Sequence, residues 1–186
     1  MPFFVTFVAL PILLIVLVIA LIAVIWAVST VNGFKRKEIK IDECLSGIEV
    51  ALTKRYDLLT KLLDTAKGYM SHEEQLFTKV IALRRGMSAE ELQDADKQIG
   101  EMSAKFFAVA EGYPELKSAQ IFSDLQAGIR DAEDHLQAAR RLYNASVTSY
   151  NTAIAMFPAS LLAGGRQAKT FFAAEEQKRE DVKISF

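Results

Sequence analysis

The chain has 186 residues, with 22 Lys and Arg against 23 Asp and Glu, so the formal net charge is −1. This balance provides no global basic surface for nucleic acid. The single cysteine, Cys44, excludes an internal disulfide, and only 4 Pro and 9 Gly favour long helices over a turn-rich β fold. The charge is unevenly placed, because residues 3–31 contain none.

This apolar N-terminal run is the first predicted element. Residues 11–31 alone provide the roughly 20 helical residues that cross a bilayer core of about 30 Å. Pro11 either opens this helix at its first turn or kinks a longer one. A cleaved signal peptide is the alternative, but no Lys or Arg precedes the run, which is longer than the apolar core of about 7–15 residues in such peptides. We therefore predict one transmembrane anchor in residues 1–33, with Trp26 near the headgroup level at its far end.

The flanking charges predict the orientation of the anchor. Lys35, Arg36, Lys37 and Lys40 follow the apolar run directly, and no cationic side chain precedes it. The positive-inside rule then places the C-terminal domain in the cytoplasm and the N-terminus outside.

Three later segments repeat apolar residues at alternating spacings of three and four. This is the period of a left-handed helical bundle or coiled coil, and strand-like alternation is absent over a comparable length. Long helices with one apolar stripe need partners, so we predict an all-α bundle of long helices over residues 34–163. The predicted seam residues are Ile41, Leu45, Ile48, Leu52, Tyr56, Leu59, Leu63, Ala66 and Met70; Leu92, Ala95, Ile99, Met102, Phe106, Val109 and Tyr113; and Phe122, Leu125, Ile129, Ala132, Leu136, Ala139, Tyr143, Val147, Tyr150, Ile154 and Phe157.

Capping signals predict where the helices of this domain begin. The Ser-x-x-Glu spacing of a capping box occurs at Ser71 and again at Ser88. A short helix over about 72–85 would therefore break at Gly86. Asn32 and Gly33 form the only plausible joint between the anchor and the bundle, and we favour a helix that continues through them.

Prolines and glycines predict the later boundaries. Pro114 suits the first turn of a third long helix, which Pro158 ends. Residues 160–163 can form one more turn, and Gly164-Gly165 is a flexible joint. We expect a tail over 164–186 in which Phe171 and Phe172 dock on the bundle.

The sequence contains few groups that suggest chemistry. Neither His72 nor His135 has a Glu three residues before it, as carboxylate-bridged metal bundles require, and Cys44 has no close second Cys or His. Nucleotide-binding glycine motifs are absent as well. We predict no metal and no cofactor, two solvated or helix-end histidines, and a cysteine that fills space at the seam or lies at the surface.

Arg55 and Asp57 flank the seam residue Tyr56. Either their charges are solvated, or they form a cluster that reaches polar groups on the third helix, where Tyr143-Asn144 recurs as Tyr150-Asn151 one heptad later. Asn beside a seam fixes register or oligomer state at some cost in stability. We therefore favour a specificity role for both Asn residues over a ligand-binding role.

Three ordered blocks of this sequence resemble the signature of the LemA family. They are KRYDLL (residues 54–59) with KGYMSHE (67–73), FAVAEGYPELK (107–117) and RLYNASVTSYNTAIAMFP (141–158). The resemblance departs from the family at residues 60–61, where a Pro-Asn pair is usual, and around residues 164–170, which lack the usual aromatic-Pro pattern. Carried over, the signature residues are Arg55, Asp57, Gly68, Tyr69, His72, Glu73, Tyr113, Pro114, Tyr143, Asn144, Tyr150, Asn151 and Pro158.

The resemblance implies a bacterial, membrane-anchored, antiparallel helical bundle without an established reaction. It also implies an association with membrane organisation, including relatives linked to magnetosome membranes. We therefore expect a non-enzymatic scaffold or adaptor in the bacterial inner membrane that contacts the lipid bilayer, forms homo-oligomers and does not bind nucleic acid.

Two alternatives remain open. One is a monomeric, membrane-tethered adaptor that regulates a partner such as a membrane protease or transporter. The other is an uncharacterised enzyme that uses His72, Glu73 and Asp57.

Overall fold

The structure, a computed structural model, describes residues 2–69 and 83–172. Its described part is helical and contains no strand. The helices are α1 (Pro2–Ala66), α2 (Ala89–Ala110), α3 (Pro114–Ser118) and α4 (Gln120–Ala155), followed by a 3₁₀ turn (Ala159–Leu162). The prediction of an all-α chain with a long apolar N-terminal helix is therefore confirmed.

The chain divides into two compact units. The first comprises Met1–Lys40 and Thr148–Lys169, and the second comprises Ile41–Val147 and Thr170–Phe186. Helices α1 and α4 each contribute to both units.

The N-terminal part of α1 presents apolar side chains that no other described segment covers. Large side chains from Ile12 to Val28 are between 41% and 62% exposed. This helix is long and apolar enough to cross a membrane, and none of its most apolar stretch is buried, unlike the core helix of a soluble protein. Helix α1 includes Pro11 and continues through Asn32 and Gly33 to Ala66, so the predicted continuity is confirmed.

The second unit packs three long helical segments around one apolar core. Lys54 and Asp131 form an ion pair of 2.7 Å, and Cys44 Sγ lies 3.4 Å from Ser146 Oγ, so α4 runs antiparallel to α1. Most predicted seam residues are buried, and each fully buried Leu or Ile contributes about 1.5–3 kcal/mol to the hydrophobic term. The completely buried ones are Ile48, Leu52, Leu59, Ala66, Leu92, Ile99, Phe106, Ala132, Leu136 and Val147.

The start of α2 matches its sequence signal. The Ser88 side chain accepts a hydrogen bond from Glu91 N, and the Glu91 carboxylate accepts one from Ser88 N. Gly86 has φ +77°, a conformation that favours glycine. Residues 83–88 are not helical, so the preceding helix predicted to reach residue 85 does not do so. The rest of that prediction, including the cap at Ser71, lies outside the described residues.

The predicted third long helix is broken near its start. Pro114 opens a helix as predicted, but α3 ends at Ser118, and Ala119 is extended with ψ 129°. On an unbroken helix, side chains six residues apart point about 120° away from each other. The break therefore allows Leu116 and Phe122 to be buried together.

The end of α4 also differs from the predicted seam. The helix ends at Ala155, and Phe157, which was predicted in the seam, lies beyond this end and is 79% exposed. The Phe157–Pro158 peptide bond is cis. The predicted additional turn is present as the 3₁₀ turn, and Gly164 and Gly165 both have positive φ.

Candidate functional site

Four charged side chains form a cluster in the second unit: Arg55 and Asp96, which are buried, and Glu133 and Arg140, which are partly buried. Arg55 lies on the buried face of α1, four residues after Ala51 and three after Leu52. It donates through Nη1 to Asp96 Oδ1 on α2 at 3.0 Å, and its Nε lies 3.1 Å from Glu133 Oε2 on α4. Arg140 of α4 donates to the other oxygen of Asp96.

This cluster connects all three long helices of the second unit. Its two guanidinium groups face two carboxylates, so the buried charges compensate one another. The side chains of Arg55 and Asp96 are only 9% and 8% exposed, so each depends on its partners for the solvation that burial removes. The geometry is that of a structural ion network.

A docking site for Phe172 adjoins this cluster. The Arg140 guanidinium carbon lies 5.4 Å from the centre of the Phe172 ring, and the Tyr143 ring meets that ring edge-on at 6.4 Å. Asn144 pairs with the backbone of Phe172 in both directions, donating to its carbonyl at 2.9 Å and accepting from its N–H at 2.8 Å. Phe172 is 2% exposed, whereas Phe171, which the sequence predicted to dock beside it, is 52% exposed.

Polar contacts of Thr170 complete this docking site. The Tyr143 hydroxyl donates to the Thr170 carbonyl at 3.1 Å, and the Thr170 hydroxyl donates to the Glu90 carboxylate at 2.9 Å. Burial raises the pKa of Tyr143, and the nearby charges of Glu90 and Asp42 raise it further. The phenol therefore keeps its proton and remains a donor.

The first unit contains a second cluster, around Glu38 of α1. Arg166 and the Tyr150 hydroxyl each lie 3.3 Å from Glu38 Oε1, and Arg166 also lies over the Phe34 ring at 5.2 Å. Burial by itself raises the pKa of Glu38, but hydrogen bonds and charges from Lys35, Tyr150 and Arg166 outweigh it and lower that pKa. Glu38 is thus held as an anion. Burial and the Glu38 charge raise the pKa of Tyr150 in turn.

Asn151 repeats in the first unit the contact that Asn144 makes in the second. It donates to the Lys169 carbonyl at 2.9 Å and accepts from the Lys169 N–H at 2.8 Å. Both Asn side chains are therefore satisfied by the chain's own C-terminal backbone. The proposed role in register or oligomer state stays a prediction, but these bonds give the residues an intramolecular role that the sequence did not suggest.

One of the two sequence predictions put Arg55 and Asp57 in the same cluster, but Asp57 is not part of it. One alternative was that Arg55 contacts polar groups on the third long helix. Arg55 is buried and does contact α4, but its partner there is Glu133 and not the Tyr-Asn pairs. Asp57 lies on the exposed face of α1, because it follows Arg55 by two residues and so points away from it. The prediction of solvated charges therefore holds for Asp57 and fails for Arg55.

The remaining predicted site residues lie at helix ends or in the core. Gly68 and Tyr69 form the turn after α1, Tyr113 precedes α3, and Pro158 follows α4. Tyr143 and Tyr150 are buried, as their seam positions predict. His72 and Glu73 lie outside the described residues, so the enzyme alternative based on them stays open.

Sequence reasoning missed several members of the two clusters. Asp96 follows the seam residue Ala95 and lies four residues after Leu92, which places it on the buried face of α2. A charged residue at such a position was the sequence signal that could have identified it. Arg140 was not among the predicted site residues. The contacts of Glu38 and Arg166 join segments far apart in the chain, and no local pattern marks them.

Reactive constellations are scarce among residues 2–69 and 83–172. No group of three His, Cys, Asp or Glu there could hold a metal ion. His135 is exposed, and its Nδ1 lies 2.7 Å from the Asp131 carbonyl one turn earlier. Cys44 is a half-buried free thiol beside Ser146. These placements agree with the structural roles that the sequence indicated for both residues.

The fold and clusters define a class: an all-helical protein with one candidate membrane helix and a charge-linked helical bundle. The model of the LemA family matches residues 44–186, and the chain belongs to the LemA family. It is 27% identical over 165 residues to Protein LemA of Metamycoplasma hominis, covering 85% of this chain and 75% of that protein. It is 32% identical over 78 residues to the magnetosome protein MamQ of Magnetospirillum gryphiswaldense, covering 42% of this chain and 29% of that protein.

Proposed function

We propose that this protein is a non-enzymatic scaffold, anchored in a bacterial inner membrane by α1, that self-assembles through its helical domain and takes part in membrane organisation. The observation that carries the proposal is the uncovered apolar surface of α1, which continues without a break into the packed bundle. A continuous helix transmits position from the bilayer to the domain without a flexible linker.

The use of the buried charges supports a scaffold over an enzyme. Asp96 and Glu133 are committed to arginine partners that join three helices, and the Tyr and Asn side chains of the signature hold the C-terminal backbone. An active site requires titratable groups that face a substrate-sized cavity. The polar clusters described above instead hold helices and the C-terminal backbone together.

Tethering supports assembly in the plane of the membrane. Proteins confined to a bilayer meet at high effective concentration, so weak lateral contacts are sufficient. Val50 and Leu142 in the second unit are 67% and 63% exposed and are candidate contact residues. The similarity to the magnetosome protein MamQ, which covers 42% of this chain and 29% of that protein, supports a place in membrane organisation.

The particle mass of the full-length protein in mild detergent tests the assembly. We expect a multiple of the 20.7 kDa chain that persists on dilution, and smaller particles for the variant V50E/L142E. The variant D57N, altered at an exposed polar position, is the matched control and keeps the wild-type mass. A strictly monomeric wild-type particle at all concentrations contradicts self-assembly, and a stoichiometric protease or transporter in a crosslinked membrane would favour the adaptor alternative.

A further inference from the structure

Three large apolar side chains beyond the end of α4 face solvent. Met156, Phe157 and Leu161, called here the apolar tip, are 62%, 79% and 73% exposed. All three belong to the first unit, which also contains residues 11–31, the most apolar part of α1. Exposing three neighbouring large apolar side chains to water is unfavourable, and apolar patches on proteins commonly mark interaction sites.

Contacts within the first unit place the apolar tip along α1. Lys37 Nζ donates to Ser149 Oγ at 2.6 Å, and the Tyr150 hydroxyl donates to Glu38. From Ser149, α4 continues for six residues, about 9 Å, toward the N-terminal end of α1. The same rise counted back from Lys37 reaches Val31, where the apolar run of residues 3–31 ends. The apolar tip therefore lies at the level where α1 would leave the hydrocarbon.

The first unit is rich in cationic side chains. Of its seven charged residues only Glu38 is acidic, and the rest of the chain is net acidic. Anionic headgroups attract each nearby Lys or Arg by about 1 kcal/mol. The six cations are Lys35, Arg36, Lys37, Lys40, Arg166 and Lys169.

We propose that the apolar tip inserts into the headgroup–acyl boundary of the bilayer beside α1, as a second membrane contact. The occupant of this surface is lipid, because the tip lies at the level where α1 would leave the hydrocarbon and belongs to a unit whose six cations complement anionic headgroups. Two points of attachment, one spanning and one interfacial, fix the rotation of the first unit about α1. The proposal depends on the membrane anchoring proposed above.

Tryptophan fluorescence in vesicles tests this insertion. The variant W26F/F157W places the only indole in the apolar tip, and the wild type reports the anchor through its single Trp26. Both are reconstituted at full length into phosphatidylcholine–phosphatidylglycerol vesicles whose acyl chains are brominated near the headgroup. We expect the emission of the tip indole in W26F/F157W to shift to shorter wavelength and to be quenched to an extent comparable with Trp26 emission. W26F/L142W, with an indole about 21 Å of helical rise before Met156, should be unquenched.

The possible results separate this inference from the anchor. If Trp26 is quenched while the tip indole emits as in water without quenching, the anchor stands and the second contact is refuted. Emission from the tip indole that is blue-shifted but unquenched, and that depends on protein concentration, would assign the surface to a second copy and overturn the inference. If neither indole is quenched, the membrane anchoring itself fails. Circular dichroism confirms that each variant keeps its helix content.

Discussion

At the scale of single residues, the buried arginine and the two asparagines hold distant segments together. Arg55 joins α1 to both α2 and α4, while Asn144 and Asn151 each exchange two hydrogen bonds with C-terminal backbone. An Asn side chain carries one acceptor and an amide donor. It can therefore make both backbone hydrogen bonds of one extended residue, as a neighbouring strand would. Asn144 and Asn151 are seven helical residues apart, a rise of about 10.5 Å. Their partners Phe172 and Lys169 are three residues apart, about 10 Å in extended backbone, so the two spacings match.

Replacing Arg55 with Leu should destabilise the bundle by about 3–5 kcal/mol, because Asp96 and Glu133 would lose the same buried counter-charge. The measurement is chemical unfolding of the full-length protein in detergent, followed by circular dichroism. The control D57N, two residues away on the exposed face, should change the free energy of unfolding by less than about 0.5 kcal/mol. Equal effects of R55L and D57N would contradict a buried network.

Replacing Asn144 with Ala should cost about 1–2 kcal/mol, because two hydrogen bonds to the Phe172 backbone are lost. Amide hydrogen exchange at Phe172 should accelerate in this variant. The neighbouring exposed Arg141 provides the control, R141A, which should leave both quantities unchanged. A role in register alone predicts the opposite result: unchanged or raised stability with an altered particle mass.

The pairing of Glu38 predicts a dependence of stability on pH. A lowered pKa in the folded state means that Glu38 stabilises the fold above its unfolded pKa of about 4.5, and that this stabilisation is lost as the pH falls through the folded pKa. The variant E38Q should therefore lose stability near neutral pH and show a shallower decline in melting temperature below about pH 5. E115Q, at an exposed carboxyl, should follow the wild-type curve. A parallel decline in E38Q and wild type would refute the ion cluster.

At the scale of helices, the sequence predicts what local chemistry decides. Heptad periodicity, the capping box at Ser88 and the proline at 114 each act within a few residues, and all three are observed. The sequence predicted one long helix from Pro114 whose apolar seam includes Phe157. The break at Ala119 and the exposure of Phe157 depart from this prediction because they depend on tertiary packing and not on local sequence. Asp96 was missed for the same reason. Its position on the buried face of α2 is favourable only because Arg55 and Arg140, which belong to other helices, pair with it.

The capping box at the start of α2 gives a prediction at this scale. Replacing Ser88 with Ala removes the acceptor for Glu91 N and should destabilise the domain by about 1 kcal/mol. Thermal unfolding measures the change, and S46A, at an exposed position inside α1, is the comparison. A variant S88A that is as stable as S46A would show that this helix end does not depend on its cap.

At the scale of the whole molecule, the parts of the chain differ in the solvent that each requires. Large apolar side chains from Ile12 to Val28 are exposed along α1, the helical segments after Lys40 bury one stripe against each other, and cations follow the apolar run in the sequence. This division was predictable because composition alone sets it. The direction of insertion follows from charge asymmetry and the identity of the membrane from the family resemblance, and both stay predictions.

A cysteine introduced at Ala168 in a C44S background tests the direction of insertion. With the C-terminal domain in the cytoplasm, a membrane-impermeant maleimide should label this exposed position in inverted inner-membrane vesicles and not in intact spheroplasts. Labelling in intact spheroplasts would reverse the orientation derived from the positive-inside rule.

Extraction of native membranes with alkaline carbonate tests the central claim most directly, because it removes peripheral proteins and retains spanning ones. We expect the full-length chain in the membrane pellet. A variant with two lysines in the apolar run, L17K/L21K, should shift to the supernatant, since each charge at a bilayer centre costs roughly 2.5–3.5 kcal/mol or more. Recovery of the wild-type chain in the supernatant with its first thirty residues intact would contradict the membrane anchor and the scaffold built on it.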